Sequence, residues 1–437
     1  MKRNVPAAML GCSLSTLLLA GAGGALAADA SLTPIEDLGS KIFFDKNLSL
    51  LRNQACATCH VPEAGWVGDD TKINEAGGVY EGSIPGEFGN RNPPSSAYAT
   101  PSPVFYLDAD EGLFVGGNFW DGRATGWELG DPSAEQARGP FLNPVEQALP
   151  DKACVVYRVC EGKYGTLFDA VWGGEACMID WPGNGVVNQQ CVKSDGAVPL
   201  SDDDRARVDE SYDKIARSIS AFEDSPESNA YSSKLDAVRA GQAAFTEQEA
   251  KGREIFRGKG LCSACHVGSP QGGPPPLLTD FTFDNLGVPR NPQNPASIAD
   301  PDWADPGLAG FLETVEAYAD YVAANLGKHK VPTLRNVGLG SCEAQEFAEA
   351  PPKNCITKAY MHNGYFNSLW QVVHFYNTRD VKPACEDPPS GSKTRRSRSP
   401  WPTAAGQSRR WPRTSIPMSL VIWASLTRKR WPWSPSC

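Results

Sequence analysis

Two five-residue strings constrain this 437-residue chain more than any other feature: Cys56-Ala57-Thr58-Cys59-His60 and Cys262-Ser263-Ala264-Cys265-His266. Cys-x-x-Cys-His is the spacing at which a c-type haem is attached. The two thiols add to the porphyrin vinyl groups, and the adjacent imidazole becomes the proximal ligand of the iron. A zinc site or a redox dithiol competes for a single string of this kind. Two copies, each behind the same helix signature, favour two covalently bound c-type haems. Cys56, Cys59 and His60 would hold the first, and Cys262, Cys265 and His266 the second.

The chain repeats itself around these strings. Thr33-Pro34-Ile35-Glu36 and Thr246-Glu247-Gln248-Glu249 are both capping boxes that open a helix. Each is followed by Gly (Gly39, Gly252), then Ile-Phe (Ile42-Phe43, Ile255-Phe256), then the haem string. Further on, Phe119-Trp120-Asp121-Gly122 and Met361-His362-Asn363-Gly364 align on their Asp-Gly and Asn-Gly turns, which sets Phe119 opposite Met361. Helical periodicity also marks Arg205–Phe222, Ala309–Asn325 and Ser368–Tyr376, and strand-like alternation is scarce. The predicted fold is mainly α: two cytochrome c-like haem domains in tandem, with long irregular loops. The expected division is an N-terminal cytochrome c-like domain over 28–228 and a C-terminal one over 229–388, with 151–200 inserted in the first.

The alignment of Phe119 with Met361 carries chemistry. A haem with its sixth position filled passes electrons, and one with that position open binds small oxidants. Met361 can supply a thioether to the second iron, whereas Phe119 cannot ligate the first. The chain has five His, and none besides His60 precedes His266. The first iron is therefore expected to be open. His362 and His374 read as structural, and His329, between two lysines, as a surface residue.

Composition narrows the setting. Lys2 and Arg3, an apolar run and Ala25-Leu26-Ala27 read as a signal peptide over 1–27, cleaved near Ala27, which predicts export to the periplasm. No other segment has the length of a membrane span. Thirteen cysteines fit an oxidising compartment. Cys177–Cys191 and Cys342–Cys355 are the local pairings to expect, although connectivity cannot be read from a sequence. A formal charge of −10 disfavours nucleic acid and suits a basic redox partner, or simply solubility. From Ser390 to Cys437 there are ten Lys or Arg, no Asp or Glu, and five of the twelve Trp. Residues 389–437 therefore read as an anomalous tail translated out of frame. One nucleotide upstream, codons can be chosen that give an acidic segment with a capping box and a Cys in place of Ala405. A basic tail for membrane or nucleic-acid binding is the alternative.

Four strings resemble the bacterial dihaem cytochrome c peroxidase/MauG family in type, order and spacing. They are Asn118-Phe119-Trp120-Asp121-Gly122-Arg123-Ala124, Glu135-Gln136-Ala137-Arg138-Gly139-Pro140, Asn143-Pro144-Val145-Glu146 and Val331-Pro332-Thr333-Leu334-Arg335-Asn336-Val337. The resemblance spans residues 31–388. It implies a peroxide-reactive N-terminal haem and an electron-transfer C-terminal haem. Trp120 matches the tryptophan between the haems, and Gln136, Pro140 and Glu146 match residues over the open face. A carboxylate such as Glu146 can move a proton between the oxygens of peroxide. Some relatives use a tyrosine as the sixth ligand, which makes Tyr360 the rival of Met361. Arg335 would pair with a haem propionate or brace its loop. The resemblance further implies calcium between the domains, with Asn92 as a ligand.

Three departures stand out: extra residues between Trp120 and Gln136, inserted segments at 151–200 and 341–355, and the tail in place of a terminal helix. The implied function is a periplasmic peroxidase that reduces hydrogen peroxide with electrons from a small cytochrome c or cupredoxin. The alternatives are a MauG-like oxidase modifying Trp or Tyr of a partner protein, and a dihaem electron carrier without catalysis. A homodimer is among the expected assemblies.

Overall fold

The computed structural model describes residues 31–270, 273–342 and 355–380. The proposed signal peptide over 1–27 and the anomalous tail over 389–437 lie outside the described residues, as does Cys385. The chain is mainly helical, with long loops and two short antiparallel ribbons.

In the first half, helices run over Pro34–Phe43 (α1), Thr71–Glu75 (α2), Pro132–Leu142 (α3), Lys152–Cys160 (α4), Gly165–Trp172 (α5), Asn184–Gln190 (α6) and Asp202–Asp224 (α7). Further on come Lys234–Arg239 (α8), Glu247–Arg257 (α9), Pro295–Ala299 (α10) and Leu308–Leu312 (α11), with a last described helix at Leu369–Thr378. Tyr106–Asp108 (β1) pairs with Leu113–Val115 (β2), and Phe283–Asp284 (β3) pairs with His329–Lys330 (β4).

Both predicted capping boxes form. Glu36 accepts from the Thr33 amide at 2.6 Å, and Glu249 from the Thr246 amide at 2.7 Å. The glycine that follows has a packing role in the first copy: a Cβ on Gly39 would lie 1.9 Å from the Ser218 carbonyl oxygen. Only a hydrogen at this position lets α1 and α7 approach so closely. Between them α1, α3, α4 and α7 bury Ile42, Phe43, Phe141, Val155, Ile215 and Phe222 in the largest core.

The inserted segment contributes to that core through α4, α5 and α6. Cysteine pairing there differs from expectation. Cys154 bonds Cys191 and Cys160 bonds Cys177, so the predicted Cys177–Cys191 pair does not form. Cys154 and Cys160 sit on α4, whose packing against α5 and α6 selects partners by tertiary proximity and not by distance along the chain. The expected Cys342–Cys355 pair is present.

Helix boundaries agree at Asp202–Asp224 and Leu369–Thr378 but not over 309–325. There α11 stops at Leu312 and 3-10 turns follow at Glu316–Tyr321 and Ala323–Asn325. Thr314 Oγ1 donates back to the Phe311 carbonyl at 2.7 Å, a local bond that competes with helix continuation. The aromatic side chains of this segment pack instead onto Phe105, just before β1, and Phe114 of β2.

Candidate haem and peroxide sites

The two haem strings adopt the same local form, a 3-10 turn over Cys56–Thr58 and Cys262–Ala264. His60 Nδ1 lies 3.1 Å from the Trp66 carbonyl, and His266 Nδ1 lies 2.8 Å from that of Leu278. A carbonyl can only accept, so each Nδ1 carries the proton and each Nε2 keeps its lone pair for a metal. Burial pulls both imidazoles below their ordinary pKa, which favours the neutral form that ligates. The four cysteines are not in disulfides. Burial pushes the Cys59 thiol up to about 12 and Cys262 to about 11. A cavity of about 3250 Å³ is lined by Cys262, Cys265, His266, Tyr360 and Met361. That is several times the volume of an ordinary small-ligand pocket, which runs to about 1,000 Å³. Residues and space fit a haem at the second string, and the residues of the first string match them.

The repeated turn is reproduced closely. Asn118 bridges Ala124, and Tyr360 bridges Phe366. The closing bonds match: Asn118 N to Ala124 O at 2.8 Å, and Tyr360 N to Phe366 O at 2.8 Å. Phe119 and Met361 both have left-handed backbone, with φ of 66° and 69°. Side chains of non-glycine residues rarely tolerate that region. Two copies of the same strained turn thus present a phenyl ring in one half and a thioether in the other. Tyr360 also lines the second cavity, so both candidate ligands share it.

Beside Phe119 lie Arg123 and the helix α3, which carries Gln136 and Pro140. The Arg123 guanidinium sits 3.8 Å above the Phe119 ring. On α3, a Cβ on Gly139 would meet that ring at 3.4 Å. Pro140 interrupts the same helix. Lacking an N–H, it leaves the Gln136 carbonyl without its usual i+4 donor. Glu146 follows on the next loop, where Asn143 Nδ2 donates to its Oε2 at 2.9 Å. Burial pushes the Glu146 carboxyl up, with Asn143 and Arg123 opposing. The same carboxylate raises the Cys59 thiol, so it stands beside the first haem string. Neighbouring Glu135 is structural. It accepts amides of Gly126, Glu128 and Leu129, pinning the loop of extra residues.

Trp120 is buried between the two repeats. Its Nε1 donates to the Asn92 carbonyl at 2.8 Å, and its own carbonyl accepts the Lys330 amide at 2.8 Å. Asn92 in turn donates from Nδ2 to the carbonyls of Ala359 and Met361, both at 3.1 Å. The indole and the Met361 turn are thus tied through one residue. The Trp120 ring also meets His362 edge-on, with centroids 6.4 Å apart.

Sequence reasoning missed an ionic clamp at this place. Arg91 binds both Asp305 oxygens, at 2.7 and 2.6 Å, and Asp121 at 2.6 Å. His329, expected on the surface, is enclosed: its Nε2 lies 3.3 Å from Asp305, and its ring stacks on His362 at 3.6 Å. Flanking lysines misled that expectation, because Lys330 is itself turned inward onto Ser102, Gly117 and Asn118. Asp305, His329 and His362 bring three ligand atoms within 4.8 Å of one another. Arg91 nevertheless occupies both carboxylate oxygens, and the stacked imidazoles hold their lone pairs in near-parallel planes, 12° apart. The group is a clamp, with the positive charge already supplied. Arg335 braces its loop, bonding the Pro276 carbonyl at 2.9 Å and pairing with Asp236.

Fold and site define a mainly helical oxidoreductase with two haem-binding strings. The family model for di-haem cytochrome c peroxidases matches residues 34–244. The methylamine utilization protein MauG of Paracoccus denitrificans is 33% identical over 365 residues, covering 83% of this chain and 79% of that protein. The cytochrome c551 peroxidase of Nitrosomonas europaea is 25% identical over 386 residues, covering 85% and 84%. Among solved structures, the diheme peroxidase BthA of Burkholderia thailandensis has a TM-score of 0.60 and 29% identity, covering 79% of this chain and 71% of that one. The chain belongs to the bacterial di-haem cytochrome c peroxidase/MauG family and is a cytochrome-c-peroxidase-like oxidoreductase with two haems.

Proposed function

We propose that this enzyme is a periplasmic peroxidase that reduces hydrogen peroxide to water with electrons from a small redox protein. Its two haems are held as thioethers on Cys56 and Cys59 and on Cys262 and Cys265, with His60 and His266 as iron ligands. They occupy tandem cytochrome c-like domains over 28–228 and 229–388. The single observation that carries this reading is the asymmetry of the repeated turn, with Phe119 where the second half has Met361. Only the second site would then offer a further side chain, Met361 or Tyr360, able to join its histidine in holding a haem. Met361 is the assigned ligand by the repeat, with Tyr360 as its rival in the same cavity.

The haem at the first string, when bound, supplies the electron-transfer chemistry on peroxide. The protein supplies the proton chemistry and the geometry. The Glu146 carboxylate, made a stronger base by burial, accepts a proton from one peroxide oxygen and returns it to the other. Asn143 holds its Oε2, and Arg123 fixes the Phe119 ring beside it. Gln136 and Pro140, both on α3, would line the same site. Trp120 stands between the halves, with an oxidisable indole anchored at Nε1. A calcium ion at Asn92 would use Oδ1, because Nδ2 is committed to two carbonyls; oxygen donors suit that ion. The signal-like residues 1–27 support export. No helix among the described residues is long and apolar enough to cross a membrane.

A second reading is a MauG-like oxidase that modifies Trp or Tyr of a partner protein. The 33% identity to a MauG favours it. Steady-state assay of the haem-loaded protein with reduced cytochrome c and peroxide separates the two. Oxidation of two carriers per peroxide is expected. Peroxide consumption without carrier oxidation would overturn the peroxidase reading in favour of the oxidase.

A further inference from the structure

A cluster of aromatic rings runs from the wall of the second haem cavity to the surface and emerges inside an acidic rim. Phe283 and Tyr321 line the cavity that also holds Cys265 and His266. Phe283 packs on Phe105 at 6.0 Å, and Phe105 on Trp127 at 6.0 Å. Tyr318 lies 6.2 Å from Trp127 and 6.3 Å from Tyr321. At the outer end Trp127 is 47% exposed and Tyr321 38%, and Tyr106, next to Phe105 in the chain, is 45% exposed. A buried core needs none of these three at the surface, and large exposed aromatics that group together mark contact surfaces.

Carboxylates outnumber cations around them: Glu128 is paired with Arg138 at 2.5 Å and Arg123 with Asp121 at 2.8 Å, and the other acids carry the excess. Asp110, Glu111 and Glu128 are exposed on the β1–β2 side, and Glu313, Glu316 and Asp320 on the α11 side. Glu111 and Glu313 both border the haem cavity itself. Neither 104–122 nor 301–327 contains a lysine or arginine. The ten basic residues of 390–437 lie elsewhere in the sequence, so the rest of the chain is more acidic than the net −10.

We infer that this face, Trp127, Tyr106 and Tyr321 within their carboxylate rim, is the docking site for a positively charged one-electron carrier protein. The inference rests on the peroxidase reading and adds the place and the charge of the donor. An apolar centre with a charged rim lets long-range attraction steer the partner and then excludes water at the contact. The cluster beneath brings the docked carrier to the cavity of the second haem by a path of packed rings. Each carrier gives one electron and is oxidised by one. Two such encounters, with two protons from solvent, convert one hydrogen peroxide into two waters.

The test uses the haem-loaded protein with a basic cytochrome c as probe. Carbodiimide coupling joins lysine amines to carboxylates that they touch, so mass spectrometry of the conjugate maps the face without any turnover. Crosslinks at Glu313, Glu316, Asp320, Asp110 or Glu111 are expected. The triple variant Glu313→Gln, Glu316→Gln, Asp320→Asn should weaken binding about tenfold at low salt and flatten its salt dependence. These side chains are exposed, and an unchanged melting curve verifies the fold. Crosslinks concentrated on another acidic face, such as Asp202–Asp204, or an unchanged affinity, would overturn the docking site. Peroxide consumption with a small-molecule reductant isolates the other premise. Its loss in the unmodified protein refutes the peroxidase reading, while the crosslink map still decides the face.

Discussion

Phe119→Met tests the asymmetry between the halves by removing it. The two turns close with the same 2.8 Å bond, and their φ values differ by a few degrees, so a thioether at 119 would be presented as Met361 presents its own. The stability cost can be bounded from the contacts. The Arg123–Phe119 stack at 3.8 Å is worth about 1 kcal/mol at a partly exposed site. Exchange of one large apolar side chain for another of similar volume costs less than about 1.5 kcal/mol. The sum, at most about 2.5 kcal/mol, is well inside the roughly 5–15 kcal/mol that holds a domain folded. The variant should therefore fold, and its spectrum can be read directly. The ferric protein should lose its high-spin signal, gain a second low-spin one and react with peroxide at least tenfold more slowly. Phe119→Leu makes the same space without a donor and should stay high-spin. A high-spin signal that persists in Phe119→Met, with undiminished peroxide reactivity, would refute the inference that position 119 faces the open side of the first haem.

Other consequences follow from individual groups. Glu146→Gln keeps the shape but cannot shuttle a proton; peroxide reduction should fall by about 10²–10⁴, the usual share of a positioned acid–base group, while cyanide binding is retained. Burial raises the Glu223 carboxyl to about 8, against a hydrogen bond from Ser133 at 2.8 Å. Because the folded-state value is the higher, its contribution to stability is complete below about pH 4.5 and is lost as pH rises through about 8. Urea midpoints at pH 5 and 8.5 should accordingly diverge less in Glu223→Gln than in the unmodified protein; equal divergence would discount Glu223. Asp305→Asn leaves the buried Arg91 with Asp121 alone. Removing one partner of a buried pair costs about 3–5 kcal/mol, and the surviving carboxylate should hold the loss near the lower end. Thermal unfolding of the variant measures this directly.

The features legible in the sequence were those that local chemistry decides. The capping boxes at Thr33 and Thr246 act within one turn, and both formed as read. The Asp-Gly and Asn-Gly turns marked the alignment of Phe119 with Met361 because a turn that closes with positive φ favours glycine there, and Gly122 and Gly364 both have positive φ. What escaped depends on distant partners. Cys154 and Cys160 are six residues apart on α4, and only the packing of α5 and α6 decides which cysteine each meets. Arg91, Asp305 and His329 are far apart in sequence, and nothing local marks them as one clamp. The run 309–325 has helical periodicity, yet its aromatics serve the β1–β2 ribbon and the helix gives way. Asn92, singled out as a cation ligand, has a hydrogen-bonding role between Trp120 and Met361 that no spacing rule could have shown.

The central claim is that one haem is open and the other is ligated by the protein on both sides. An EPR spectrum of the fully oxidised, haem-loaded protein, taken before and after one equivalent of peroxide, tests it most directly. The account predicts one high-spin and one low-spin ferric signal, with the high-spin signal lost on addition. Two low-spin signals indifferent to peroxide would contradict it.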